Sequence, residues 1–179
     1  KLDPSLAIVW RNLGIGYFNV EKKNSAARSA FDRACRAAPG DARLLFERDQ
    51  LWKKIGISPR HRLKILESFP SLVRQRDDLS VELCNLYNQT GQPQKALPIL
   101  TERHFQPWEG GEGQVMAQYV RCHLLLGRQA LSRGETPVAT RFFEQALASP
   151  ENLGEAKHLL ANPSEILYWL GESRALGGD

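Results

Sequence analysis

The residues Trp10, Leu13, Gly14 and Tyr17, followed by Ala27, Phe31, Ala34 and Pro39, constrain this chain more than any other feature. Spacings of three and four put the first four on one face of a helix and Ala27, Phe31 and Ala34 on one face of a second. The polar run Glu21-Lys22-Lys23-Asn24 between them reads as a turn, with Asn24 as the N-cap of the second helix. Pro39 stops that helix. Gly14, Ala27 and Ala34 are small enough for the two helices to approach closely. Trp10, Tyr17 and Phe31 then fill the space between one helix pair and the next. A single pair cannot bury both of its faces, so it needs neighbours.

The neighbours are visible. Leu83, Cys84, Tyr87, Ala96 and Leu100 repeat the pattern, with Gly91 ending one helix and Pro93 opening the next. Leu126, Gly127, Ala139, Phe143, Ala146 and Pro150 form another copy, divided by Gly134 and Thr136-Pro137. The copy between the first two is degenerate: Leu45, Arg48, Asp49 and Trp52, then Gly56, Ser58-Pro59, Leu63, Leu66 and Phe69. A last copy opens at Asn162-Pro163-Ser164-Glu165, in the order of an N-cap, a proline and a reciprocal Glu, and runs through Leu170 to Gly177-Gly178-Asp179.

The first unit resembles the tetratricopeptide consensus, in which Trp, Leu-Gly, Tyr, Ala, Phe, Ala and Pro recur over about 34 residues. One extra residue after Tyr17 is the departure. The resemblance implies an all-α fold, a right-handed α-solenoid of antiparallel helix pairs, and a scaffold that binds or docks rather than catalyses. The expected organisation is a single array over 1–179 with units near 5–39, 41–70, 71–108, 114–150 and 153–179. Leu2-Asp3-Pro4 reads as the tail of a preceding repeat, so the chain is expected to be a fragment of a larger protein.

The period lengthens between Leu83 and Leu126, and the insertion at 105–114 holds the least generic segment: Trp108, Glu109, Gly110, Gly111, Glu112 and Gly113 after Phe105-Gln106-Pro107. Glycine permits backbone conformations and close approaches that other residues resist. Two readings stand. Trp108 folds back over the end of the Leu83–Leu100 pair while the glycines turn the chain into a long helix starting near Gln114 or Val115. Alternatively, Trp108 stacks on a ligand or partner and Glu109 and Glu112 accept hydrogen bonds from it. No strand precedes the glycines and no Lys-Ser/Thr follows them, so a phosphate-binding P-loop is excluded.

Arg76-Asp77-Asp78-Leu79, Leu86-Tyr87-Asn88 and Pro107–Gly113 resemble a narrower family, the C-terminal repeat region of large, mostly bacterial proteins. In that family a mutarotase-like β-domain precedes the tetratricopeptide array. The resemblance spans residues 41–170 and implies a carbohydrate-related context. Carbohydrate recognition, or completion of an active site elsewhere in such a parent, is therefore the alternative function.

In a tetratricopeptide array the first helices line a concave surface. The pattern places Arg11, Phe18, Asn19, Arg43, Phe46, Gln50, Lys53, Lys54, Asp78, Asn85, Asn88, Gln89, Arg121 and Arg128 there. Such a polar, basic surface suits an extended peptide, a partner protein or the parent's own N-terminal domain. Ile15 stands where a carboxylate clamp would need asparagine, so acidic C-terminal peptides are not expected ligands.

The net charge is +4, and the basic residues are interspersed with acids, which does not suit a nucleic-acid partner. The densest basic cluster, Arg60, His61, Arg62 and Lys64, reads as a solvated helix face. No apolar run is long enough for a membrane span. Cys35, Cys84 and Cys122 are odd in number and widely spaced, which suits buried thiols in a reducing, cytoplasmic setting. His61, His104, His123 and His158 form no zinc motif, and no cofactor, metal or catalytic residue is expected. His104, five residues before Glu109, is the one histidine placed for acid–base work, with a polar helix-end role as the plainer reading.

Overall fold

The computed structural model describes residues 6–156 and 161–178; Leu2-Asp3-Pro4, His158 and the remainder of 157–160 within the last expected unit lie outside them. The described residues form ten α-helices and one short 3-10 turn, with no strand. The chain divides into two compact units, Lys1–Leu79 and Ser80–Asp179, each taken by itself.

The first unit holds α1 (Ala7–Asn19), α2 (Asn24–Ala37), α3 (Ala42–Lys54), α4 (Pro59–Glu67) and α5 (Pro70–Gln75). The boundary between the units falls within α6 (Asp77–Gln89). α1 packs along α2. Asn24 does not cap α2. The cap position is Lys23 and no side chain bonds there. Lys22 takes a positive φ of 54° and turns the chain earlier than expected, while the Lys23 N–H closes on the Tyr17 carbonyl at 2.8 Å. α3 is capped by its own sequence, the Asp41 carboxylate accepting from the Arg43 and Leu44 amides.

The close approach of α1 and α2 is set by Gly14. A Cβ there would lie 2.6 Å from Phe31 Cδ2, inside any real contact. Thirteen residues after the corresponding position of the degenerate copy, Asp49, comes Arg62, as Ala27 follows Gly14. The tight Gly–Ala contact is replaced here by an ion pair. Arg62 Nε and Nη2 donate to Asp49 Oδ1 and Oδ2 at 3.0 and 2.5 Å, with both side chains 3% exposed. The solvated-face reading therefore fails for Arg62, although Arg60, His61 and Lys64 are exposed. A charged residue among exposed ones has no local signal of burial, because its partner lies on another helix.

The second unit holds most of α6, then α7 (Pro93–Glu102), α8 (Gln114–Ser132), α9 (Thr136–Leu147), a 3-10 turn (Glu151–Leu153) and α10 (Ser164–Gly177). α8 packs along α9, and α10 lies against α9. Gly127 repeats the role of Gly14: an added Cβ would sit 2.4 Å from Phe143 Cε1. Phe143, Ala139, Ala146, Leu124, Ile166 and Leu170 form the core of these three helices. In the α6–α7 pair the small–large combination becomes medium–medium. Cys84 takes the glycine position, its thiol donating to the Ala96 carbonyl at 3.9 Å, and Leu100 stands where Phe31 and Phe143 stand. The summed volume across the contact is thus roughly kept. Burial, and then the neighbouring Cys122, pushes the Cys84 thiol far up, and burial pushes Cys122 up to about 12.

Candidate functional site

The chain between α7 and α8 is held by residues encoded about 40 positions later. The Asn152 side-chain amide donates to the Leu100 and Arg103 carbonyls, both at 2.9 Å. Those are carbonyls at the end of α7 that the helix leaves without partners. The Asn152 carbonyl in turn accepts the Phe105 N–H at 2.8 Å. Gly154, at φ 69°, lies so close that a Cβ would be 2.3 Å from the Phe105 oxygen. On the other side, α8 starts at Gly113 with no side-chain cap of its own. The Glu155 carboxylate supplies one, accepting the Gly113 and Met116 N–H groups at 2.7 and 2.8 Å. Its negative charge also faces the positive end of the longest helix in the second unit.

Between these clips the insertion folds on itself. The Trp108 indole packs flat on Gly111, where a Cβ would lie 2.0 Å from Cε2, and the Gly111 N–H bonds the Trp108 carbonyl at 3.0 Å. Gly110, at φ 77°, donates its N–H to Glu112 Oε1 at 3.2 Å, and Gln114 Nε2 reaches the Gly110 carbonyl at 2.7 Å. One indole face is therefore spent on backbone. Trp108 remains half-buried.

Beside this loop lies a cleft of about 1260 Å³. Its walls are the loop from Gln106 to Gly113, one face of α8, the segment Leu153–Ala156 and the start of α10. The α8 face presents Val120, Leu124 and Leu125 with Arg121 and Arg128. Thus two groups that the sequence kept apart, the glycine-rich insertion and the groove residues Arg121 and Arg128, share one cavity. Trp108, Glu109, Gly111, Glu112 and Gly113 line it, whereas Gly110 only shapes the turn. His104 is exposed and does not line it.

Among the described residues Arg121 has no side-chain hydrogen bond or ion pair, and Arg128, which lies over the Trp169 ring at 4.9 Å, has no carboxylate partner. Glu109 and Glu165, on other walls, also have no cationic partner among the described residues. What this arrangement offers is apolar contact along α8 and unneutralised charge of both signs around it.

The remaining groove candidates are placed differently. In the first unit Arg11 and Arg43 both bind Glu47, Arg11 through Nε and through Nη2 at 2.7 Å, Arg43 through Nε at 2.9 Å. Burial alone would raise the Glu47 carboxyl, but the hydrogen bonds from Arg11 and Arg43 outweigh it and hold it below the usual range. Phe18 lies under Lys54 at 5.9 Å and Phe46 under Arg76 at 5.8 Å, while Arg76 also pairs with Asp78. Asn19 and Lys53 are exposed, and Gln50 is half-buried. In the second unit Asn85 and Gln89 form an amide row from Glu82 along α6. Asn88 is buried, its amide donating to the Gln118 carbonyl and side-chain oxygen at 3.1 and 3.2 Å.

No family model matches the chain. Among solved structures it is similar to that of MamA protein, with a TM-score of 0.58 and 16% identity over 96% of this chain and 82% of that one. The fold is TPR-like. A second similar structure is TTC0263, a thermophilic TPR protein in Thermus thermophilus, at 20% identity and a TM-score of 0.42 over 96% of this chain and 83% of that one. The TPR-like repeat accounts for Gly14, Gly127 and their phenylalanines, and the insertion with its two clips is laid on top of it. Asn152, Gly154 and Glu155 escaped the sequence reading. Asn and Gly after Pro150 mark a turn, but nothing local says where that turn docks. Among the described residues, no helix is long and apolar enough to cross a membrane, and no three His, Cys, Asp or Glu side chains gather as metal ligands would.

Proposed function

We propose that this chain is a non-catalytic docking scaffold and that the cleft between the insertion and α8 receives a polypeptide segment. The observation that carries the reading is the meeting of an apolar α8 wall, two arginines without carboxylate partners among the described residues and the clipped loop in one cavity. Its volume of about 1260 Å³ exceeds the roughly 300–1,000 Å³ usual for small-molecule sites. The lining also favours a peptide over a sugar. A sugar asks for a dense set of hydrogen-bonding groups, and the α8 wall offers Val120, Leu124 and Leu125. Carbohydrate recognition through Trp108, Glu109 and Glu112 is the competing reading. The resemblance of Pro107–Gly113 to repeat regions that follow a mutarotase-like β-domain makes such a domain in a longer parent one candidate partner.

The test is a selection of displayed peptides against the chain, run beside a glycan array. Binders that lose affinity on Leu125→Asp, with an unchanged circular dichroism spectrum, are the expected result; Leu125 is half-buried and outside the main core. Glycan binding abolished by Trp108→Ala, with no peptide sensitive to Leu125→Asp, would overturn the docking reading.

A further inference from the structure

Resting on that docking reading, we infer that the cleft takes an amphipathic α-helix carrying two carboxylates seven residues apart. Arg121 and Arg128 are separated by seven positions on α8. At 1.5 Å per residue they stand about 10.5 Å apart along the axis, and two turns nearly return them to the same face. A partner helix reproduces that separation with acids at i and i+7, both on one edge. A strand does not. At about 3.3 Å per residue it covers the distance in roughly three residues, and an odd spacing sends the two side chains to opposite faces. Same-face acids on a strand fall about 7 or 13 Å apart, so one of the two pairs is lost.

The apolar residues agree with this register. Leu124 and Leu125 lie three or four residues from each arginine, so a partner's apolar side chains at i+3 and i+4 meet them between the two ion pairs. Glu109 and Glu165, on the other walls without cationic partners among the described residues, are there to pair with basic residues of the partner away from its acidic edge. The ligand is therefore a helix with an acidic edge, an apolar stripe and a basic edge. The lined stretch of α8, Val115 to Arg128, matches about four turns. A free peptide of that length is marginally helical in water, so pre-forming its helix strengthens binding.

Three 15-residue peptides of equal composition test this by fluorescence anisotropy. The first has Glu at i and i+7, Leu at i+3 and i+4, and Lys on the far edge. The second moves one Glu off the shared edge. The third carries the first pattern in an order interrupted by a proline at the centre, present at the terminus in the others. The first is expected to bind about two- to fivefold more tightly than the second and at least tenfold more tightly than the third. Arg121→Glu/Arg128→Glu, both exposed positions, removes the preference, and a Lys-for-Glu peptide restores binding to that variant. Equal affinity for the first and third peptides overturns the helical register. Indifference to the double charge reversal, or no binding of the first peptide, overturns the acidic edge. If selected peptides still depend on Leu125 in those cases, the docking reading stands and only this inference falls.

Discussion

Replacing Asp49 by alanine removes one half of an ion pair that has almost no access to water. The two side chains are each 3% exposed and share two hydrogen bonds in a fork, which is the geometry in which Arg and Asp bind most tightly. Removing Asp49 takes both of these charge-assisted hydrogen bonds from the buried Arg62 guanidinium, and breaking buried pairs in this way costs about 3–5 kcal/mol. A typical domain has about 5–15 kcal/mol of stability in all. With a urea m-value of about 2 kcal/mol/M, the midpoint falls by roughly 1.5–2.5 M. The double variant Asp49→Leu/Arg62→Met removes both charges and fills the space. Its midpoint is expected near or above that of the unmodified chain. Urea titration followed by far-UV circular dichroism measures all three proteins, with the unchanged m-value as the check on two-state unfolding. An Asp49→Ala midpoint within about 0.3 M of the unmodified chain would refute the reasoning, since it would mean the pair is solvated or the helices part easily around it.

Gly127→Ala adds a methyl group 2.4 Å from a fully buried Phe143; the clash outweighs the helix-propensity gain of about 1 kcal/mol, and a net loss of about 1–2 kcal/mol is expected in thermal unfolding, a gain being the contrary result. Glu155→Ala uncaps α8 and should cost about 1–2 kcal/mol, with faster hydrogen exchange at the Gly113 and Met116 amides; unchanged exchange there would show that the clip is incidental. Burial among Tyr119 and Phe142 lowers the His123 pKa below 6.5, the Tyr119 carbonyl pulling it partly back. The unfolded chain therefore binds the proton more readily, so stability is full above pH 6.5 and falls as pH drops from there through the folded pKa. Melting temperature against pH should show that slope in the unmodified chain and a shallower one in His123→Gln.

The helix pairs were legible because their determinants are local. Gly14 with Phe31 and Gly127 with Phe143 are short-range patterns in which a missing side chain and a large one answer each other across one turn. The start of α8 at Gln114 followed from the glycines before it. What was not legible depends on partners distant in sequence. Arg62 has a solvated residue's neighbours in sequence, yet it is buried in an ion pair with Asp49 on another helix. Glu155 and Asn152 carry no spacing signal, since the groups they satisfy lie 39 to 52 residues away. The joining of the loop with Arg121 and Arg128 was hidden for the same reason. Each was recognisable alone, and their convergence depends on how the chain returns after α9.

The two clips also set a timetable. Each helix pair can form from residues close together in the sequence, and local contacts form early. The rim of the cleft cannot, because the carboxylate that fixes the start of α8 and the amide that fixes the end of α7 are made after α9. On a ribosome adding about 5–20 residues per second, α8 can be complete about 1–5 s before Glu155 emerges. A nascent chain stalled short of that residue would hold the helices through α9 and lack the rim of the cleft, so on the docking reading proposed above competence to bind would arrive as a late, discrete step in the protein's synthesis.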